Sequence, residues 1–380
     1  MTGKECVKRT LAFQETPYIP YGEYAIDSDT VEKILGHETY LRAKAKTQLA
    51  LWDGRRDEVV QSLKEDFVAL YRKLDFIDII NLMSEACGMV PPKTYEPCKP
   101  KQIDDTTWED ERGCIYKYSP ITRDITMVHD PQTWEREYTP EAFDQQPLPE
   151  PVDESQFEVI DYIIPYFQNN RYIISCAGSE AGMVLLGGME RGLSEYISDP
   201  EVVEAAIRAE TRRGCQEDQQ YIRKGVDAIM WGQDFAYNNG PLIRPELLEA
   251  MVLPSICARV QNVKQRGVAV FKHCCGNTMK LSNLFLRAGY DCYQSIQKQG
   301  DQSLPALKEI YGNRLTLWGG VDVKTLISGT MDETRKETRN ALEFAKQGGI
   351  IIGSSHSIAV GCNYNNVMTM FDEIVRARSI

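Results

Sequence analysis

From Val159 onward the chain repeats one pattern to its C-terminal region: a short apolar run of strand length, then a longer amphipathic stretch of helical period. The runs are RYIISCAG, DAIMWG, VAVFKHCC, YDCYQSI, LTLWGGVD and GIIIGSS, and DFIDIINL offers an earlier one. Near-continuous apolar runs are what strands buried on both faces require, and such strands occur where helices cover a parallel sheet. The segments between them, such as DPEVVEAAIRAETRRGCQEDQQYIRKG, RPELLEAMVLPSICARVQNVKQRG and MDETRKETRNALEFAKQGG, carry apolar residues at helical spacing. Seven or eight such units in series predict a (β/α)8 TIM barrel of the α/β class. An open doubly wound sheet would need a nucleotide fingerprint, and no G-x-G-x-x-G follows any run.

The first third reads differently. VEKILGHETYLRAKAKTQLALWDG and DEVVQSLKEDFVALYRKLD have helical periodicity, so residues 1–73 are expected as an N-terminal helical extension and 74–380 as one barrel domain. Between Lys93 and Pro151 the chain is rich in Pro, Asp and Thr. There TTWEDERGCIYKYSPITRDITMVH alternates around the turn-forming SPITRD, which predicts a β-hairpin inserted at about 108–127.

Charge and cysteine usage narrow the partners. A formal charge of -12, with acidic and basic residues spread along the chain, argues against nucleic acid and against anionic membranes. No apolar run approaches the ~18 residues that a spanning helix needs. Eleven dispersed cysteines follow an opening, MTGKECVKRT, that has no apolar signal region; they read as reduced thiols of a soluble, cytoplasmic protein.

In a barrel of this kind reactive side chains gather where strands end and βα loops begin. His273 and Cys275 lie there at i, i+2 spacing, so on an extended strand both point to the same side while Cys274 faces the helices. A nitrogen and a sulfur donor converging on one point suit Zn²⁺; the alternative is a hydrogen-bonded histidine beside buried thiols. His356 and Cys362 follow the last run, and barrel closure would bring either one near as a third ligand. Three ligands with an open fourth position are the catalytic arrangement of zinc. Asp234, Glu180 and Asp322 are candidate catalytic carboxylates, donating protons or orienting, although each could instead cap the next helix. Trp231, Tyr237, Tyr293 and Trp318, with Gln294, are candidate walls of a substrate pocket; the alternative for the aromatics is the core.

Several motifs then align in order and spacing. NGPLIRPELLEAMVLP, FKHCCGN, LTLWGGVD, and GSSHSI followed by NNVMTMFDE make the chain from about Leu74 onward resemble the uroporphyrinogen decarboxylase superfamily, in particular its cobamide-dependent methyltransferase branch. The resemblance implies a zinc site in which an H-x-C at the end of a central strand, matched by His273 and Cys275, is joined by a cysteine near the last strand. Counting back from Asn366 puts that third position nearer to His356, whereas the available cysteine, Cys362, lies six residues later. Cys362 is preferred, with His356 then contacting substrate.

The activity implied is movement of a methyl group between a small donor and the cobalt of a corrinoid (methylcobalamin or cob(I)alamin) carried by a partner protein, in a direction left open. The aromatic candidates suit a methoxylated aromatic or other methyl ether. The decarboxylase branch would need an arginine-rich segment after the first strand, and DFIDIINLMSEACGMVPPK has no arginine to pair with a polycarboxylate. A decarboxylase-type carbon–carbon lyase and a non-catalytic, metal-stabilised barrel are the two other readings.

Overall fold

The computed structural model describes residues 1–83 and 88–378. Four helices open the chain: α1 (Gly3–Leu11), α2 (Ser28–Leu35), α3 (Lys44–Trp52) and α4 (Arg56–Lys73). A parallel sheet follows, made of β1 (Ile79–Asn81), and, after an antiparallel insertion β2 (Lys101–Asp104), β3 (Thr107–Glu109), β4 (Ile115–Ser119) and β5 (Asp124–His129), of β6 (Tyr172–Ser175) and β7 (Ala228–Trp231). Beyond a short ribbon, β8 (Ala236–Tyr237) and β9 (Gly240–Pro241), come β10 (Ala269–His273), β11 (Cys292–Gln294), β12 (Thr316–Val321) and β13 (Ile350–Ser354). The seven-stranded order is β1-β6-β7-β10-β11-β12-β13, all parallel, so every apolar run of the sequence reading is a strand in chain order.

Alternation along these strands sorts the core into two layers. Ile79, Tyr172, Ile174, Ala228, Met230, Phe271, Cys292, Trp318 and Ile351 form one buried cluster on the inner side of the curled sheet, joined by Val7 of α1. The residues that alternate with them, such as Ile80, Ile173, Ile229, Val270, Tyr293, Leu317, Ile350 and Ile352, pack outward against the helices in a second, larger cluster. Helix α1 starts on a capping box, with Thr2 and Glu5 satisfying each other's backbone N–H, and its Lys4 N–H donates to Asn170 just before β6. It therefore plugs the end of the sheet where strands begin.

The sheet has seven ladder strands where the sequence predicts up to eight, and an extended stretch of the N-terminal region occupies the gap between its edges. On one side Ile352 N–H donates to Pro20 O (2.9 Å), Gly22 N–H to Ile352 O (3.0 Å) and Ile358 N–H to Ala25 O (2.9 Å); on the other, Asp78 N–H donates to Tyr21 O (2.8 Å). Close approach depends on glycine: a Cβ on Gly353 would lie 2.3 Å from Gly22 O. The fold is thus mixed α/β with a curled, barrel-like parallel sheet, and the residues expected only as a helical extension also supply a strand-like piece of its wall.

The SPITRD turn does join a hairpin, β4 to β5, but that hairpin is half of a four-stranded antiparallel sheet, β2-β3-β4-β5. It packs on α3 through Trp108 and Tyr116 against Trp52 (ring centroids 5.6 and 5.8 Å apart). The helix expected over 244–267 is interrupted. Pro254 cannot donate to a preceding carbonyl, and residues Leu248–Val252 widen into a π turn before the helix resumes at Leu253. Among the described residues no helix is long and apolar enough to cross a membrane.

Candidate metal centre

Strand β10 ends at His273, and inward-facing Phe271 places the imidazole two residues on at the open end of the inner layer. The chain then turns sharply. Gly276 has φ +84°, and a Cβ there would stand 2.6 Å from Tyr237 O, so the β8–β9 ribbon lies directly on this turn. Asp234 Oδ1 accepts from Cys275 N–H (2.7 Å), and Gln297 Oε1 accepts from Gly276 N–H (2.8 Å). The thiol of Cys275 is thereby held 3.3 Å from His273 Nε2.

His356 arrives from the loop after β13. One donor atom from each of His273, Cys275 and His356 lies within 4.8 Å of the others, the one such group of three or more His, Cys, Asp or Glu among the described residues. Two of the chain's four histidines meet here. The imidazoles sit edge to face, centroids 5.7 Å apart.

The surroundings prepare His273 for ligation. Its Nδ1–H donates to Gln294 Oε1, which leaves the Nε2 lone pair facing Cys275 and His356. Burial pulls its pKa down to about 4, so the ring is neutral. His356, half-buried, is also lowered by burial, with Asp234 opposing. Burial, reinforced by Asp234, pushes the Cys275 thiol up to about 12, so the sulfur becomes a thiolate only when a cation compensates it. Ser295, directly after β11, holds a left-handed backbone (φ +83°) rare for a non-glycine residue; its hydroxyl donates to Ser355 O (3.1 Å) and lies 3.5 Å from Cys275 Sγ. Two imidazole nitrogens and one sulfur, with the histidine tautomer set from behind, fit a borderline ion such as Zn²⁺. The group could bind a metal.

Cys362 is not part of it. By residue 362 the loop has passed to the helix side, where Cys362 is buried in the outer core and its thiol is pushed up to about 12, first by burial and then by Asp29, Glu23 and Asp27. The third donor that lies beside His273 and Cys275 is His356, two residues beyond the end of β13, where the count back from Asn366 points, whereas the cysteine preferred from sequence lies elsewhere.

Other expected site residues fall elsewhere, and strand parity is the reason for most. Trp231 and Tyr293 occupy outward positions: the Trp231 indole N–H donates to Gly178 O (2.9 Å), and the Tyr293 hydroxyl is fully buried and bonded to Cys274 O and Ser295 O. Trp318 faces inward but is sealed in the inner layer, its N–H donating to Gly22 O. Glu180 pairs with Lys272, the outward neighbour of His273, at 2.7 Å, and accepts from the Tyr290 hydroxyl. Asp322 caps the helix Val323–Ser328, accepting from Lys324 N–H (3.1 Å). Gln294 does reach the site, but its carbonyl oxygen is used on His273; its buried Nε2 has no partner. Of the expected carboxylates only Asp234 borders the candidate group, and of the expected aromatics only Tyr237, half exposed, lies on the ribbon that covers the Gly276 turn.

The sequence reading missed Tyr24. Its ring lies stacked on the His273 imidazole (4.3 Å, 20°) and 6.2 Å from that of His356. No local pattern marks it, since it sits in an irregular stretch with no motif.

Residues 172–377, more than half of the chain, match the family profile described as uroporphyrinogen decarboxylase (URO-D). Among solved structures, a methyltransferase from Methanosarcina mazei superposes over 100% of this chain and 98% of its own with a TM-score of 0.67 at 15% identity, a likeness that establishes shared fold. A β-L-arabinopyranosidase from Geobacillus stearothermophilus, at 10% identity over 97% of this chain and 78% of its own, reaches only 0.37, too low to argue from. No curated protein matches by sequence.

Proposed function

The chain belongs to the uroporphyrinogen decarboxylase family, and from that premise we propose that it is a zinc-dependent methyltransferase of the O-demethylase type. It moves a methyl group between a small donor, a methoxylated aromatic or other methyl ether, and the cobalt of a corrinoid carried by a partner protein. The observation that carries this reading is the group His273, Cys275 and His356 at the strand ends. Zn²⁺ bound there would supply Lewis acidity toward the donor oxygen, making it a better leaving group.

The chain's own residues do the rest. Gln294 holds the proton on His273 Nδ1, so that Nε2 stays a ligand atom. Asp234 fixes the Cys275 backbone and, being exposed, can accept or return a proton at the opening. Tyr237 offers an aromatic edge to a flat substrate. An arginine-free first βα segment weighs against a substrate with many carboxylates.

Incubation with Co(I) corrinoid, free or on its carrier protein, and a panel of methoxylated aromatics, methanol, methylamines and methylthiols tests the proposal. Conversion to methyl-Co(III) with a methyl ether, lost in His273→Ala, is expected. Porphyrinogen decarboxylation with no methylation of cobalt by any donor would replace this reading with the lyase.

A further inference from the structure

Tyr24 lies in the stretch between the sheet edges, outside the residues that match the family. Its neighbours pin its backbone from both sides. Gly22 and Ala25 bond to the β13 side, Tyr21 to Asp78, and Tyr24 O accepts from Asn81 Nδ2 (2.7 Å) at the end of β1. From Pro20 to Ser28 every residue is buried except Tyr24, which is half-buried. The side chain left uncovered is thus the one that lies over the candidate ligand. A Cβ on Gly232 would come within 3.6 Å of the Tyr24 hydroxyl oxygen, so the phenol reaches from His273 across to the end of β7.

We propose that Tyr24 is a positioning residue for the metal ligand His273, and that the N-terminal stretch completes the metal centre. The inference rests on the metal reading above. An imidazole on a strand end has two side-chain torsions to fix. The Gln294 contact at Nδ1 restrains rotation within the ring plane, and the Tyr24 face restrains tilt out of it. Together they hold Nε2 toward Cys275 and His356 before any ion arrives, which reduces the ordering that binding would otherwise require. Contact with His273 is made by the ring face, which a phenylalanine keeps.

Co²⁺ serves as the probe, because its visible d–d bands report ligand number and geometry. Purified, metal-stripped wild type, Tyr24→Phe, Tyr24→Leu and Tyr24→Ala are titrated with Co²⁺ and their melting followed by circular dichroism. Tyr24→Phe is expected to keep the wild-type spectrum and affinity, whereas Tyr24→Leu and Tyr24→Ala lose about 10-fold in affinity, the lower end for groups behind a ligand, with altered bands. If the alanine variant fails to fold, the leucine variant decides. Wild-type bands and affinity in a folded Leu or Ala variant overturn the role of Tyr24 alone, as does a Phe variant no better than Leu. A wild type that shows no Co²⁺ bands overturns the metal reading and this inference with it.

Discussion

Two adjacent residues of β10 face two different polar clusters. Outward, Lys272 is fully buried and its charge is fully met: both Glu180 oxygens, Gln233 O, and the Phe235 ring 4.0 Å from its ammonium. Inward, His273, Cys275 and His356 bring together three electron-pair donors, with an unpartnered Gln294 Nε2 behind them. The first cluster pairs opposite charges, whereas the second brings together donor atoms that could bind a metal. A polar cluster in which every charge has its partner carries structure. One that collects electron-pair donors at strand ends is a candidate for function.

The largest expected effect tests the outward side. Glu180→Ala strands the Lys272 ammonium in the core and should cost about 3–5 kcal/mol in urea unfolding, while Glu180→Leu with Lys272→Met recovers most of it. A small loss in the single variant would mean that the pair is not closed, and the contrast between the faces would fail.

The inward side should respond in the opposite way. His273→Ala, Cys275→Ser and His356→Ala should each lower zinc content or affinity by about 10–100-fold or more, while Cys275→Ser and His356→Ala leave the unfolding free energy of the metal-free protein within about 1 kcal/mol. Metal analysis and unfolding on the same samples separate the two quantities. Equal zinc in His356→Ala and wild type, with loss in Cys362→Ser, would restore the cysteine as third ligand.

A third expectation concerns a cluster that is neither fully charged nor open. Glu23, fully buried between the Tyr21 hydroxyl and Ser354, has its pKa raised from 4.5 to about 7 by burial. The folded state therefore holds this proton to higher pH than the unfolded chain does. Stability contributed by the protonated form is full below about 4.5, declines as pH rises, and is gone above about 7. Glu23→Gln, which keeps an uncharged side chain there, should flatten that decline and gain roughly 1–3 kcal/mol at pH 8 in denaturant melts. An unchanged pH slope would show that Glu23 is not the group responsible.

The smallest effect sharpens the comparison at atomic scale. Cys274, between the two candidate ligands in sequence, accepts from Phe235 N–H through its sulfur (3.2 Å) on the outer side. Cys274→Ser should shift stability by about 1 kcal/mol and leave zinc content unchanged.

Much of this was legible in the chain. Seven buried strands, their order, the H-x-C pair on one side of β10 and the outward Cys274 follow from alternation and apolar runs alone, because burial on both faces and a period of two leave few other conformations. The position of Asp234 beside the turn after β10 was legible for the same reason, as the acid that follows a strand end. What alternation also contained, and strand-end reasoning passed over, is the parity that sends Trp231 and Tyr293 to the helix side.

The remainder depended on tertiary structure. Whether His356 or Cys362 meets His273 is decided by the path of an irregular loop, whose backbone obeys no period. The pairing of Lys272 with Glu180, 92 residues apart in sequence, appears only once β10 lies beside β7 and the loop after β6 folds over it. Tyr24 reaches His273 because curling of the sheet leaves a gap between β1 and β13 that the N-terminal stretch fills. The sequence by itself determined the residues that could serve as ligands, since donor chemistry and strand parity are local properties. The tertiary structure decided which of them converge and what holds them in place, since contact between distant segments is a property of how the sheet closes on itself.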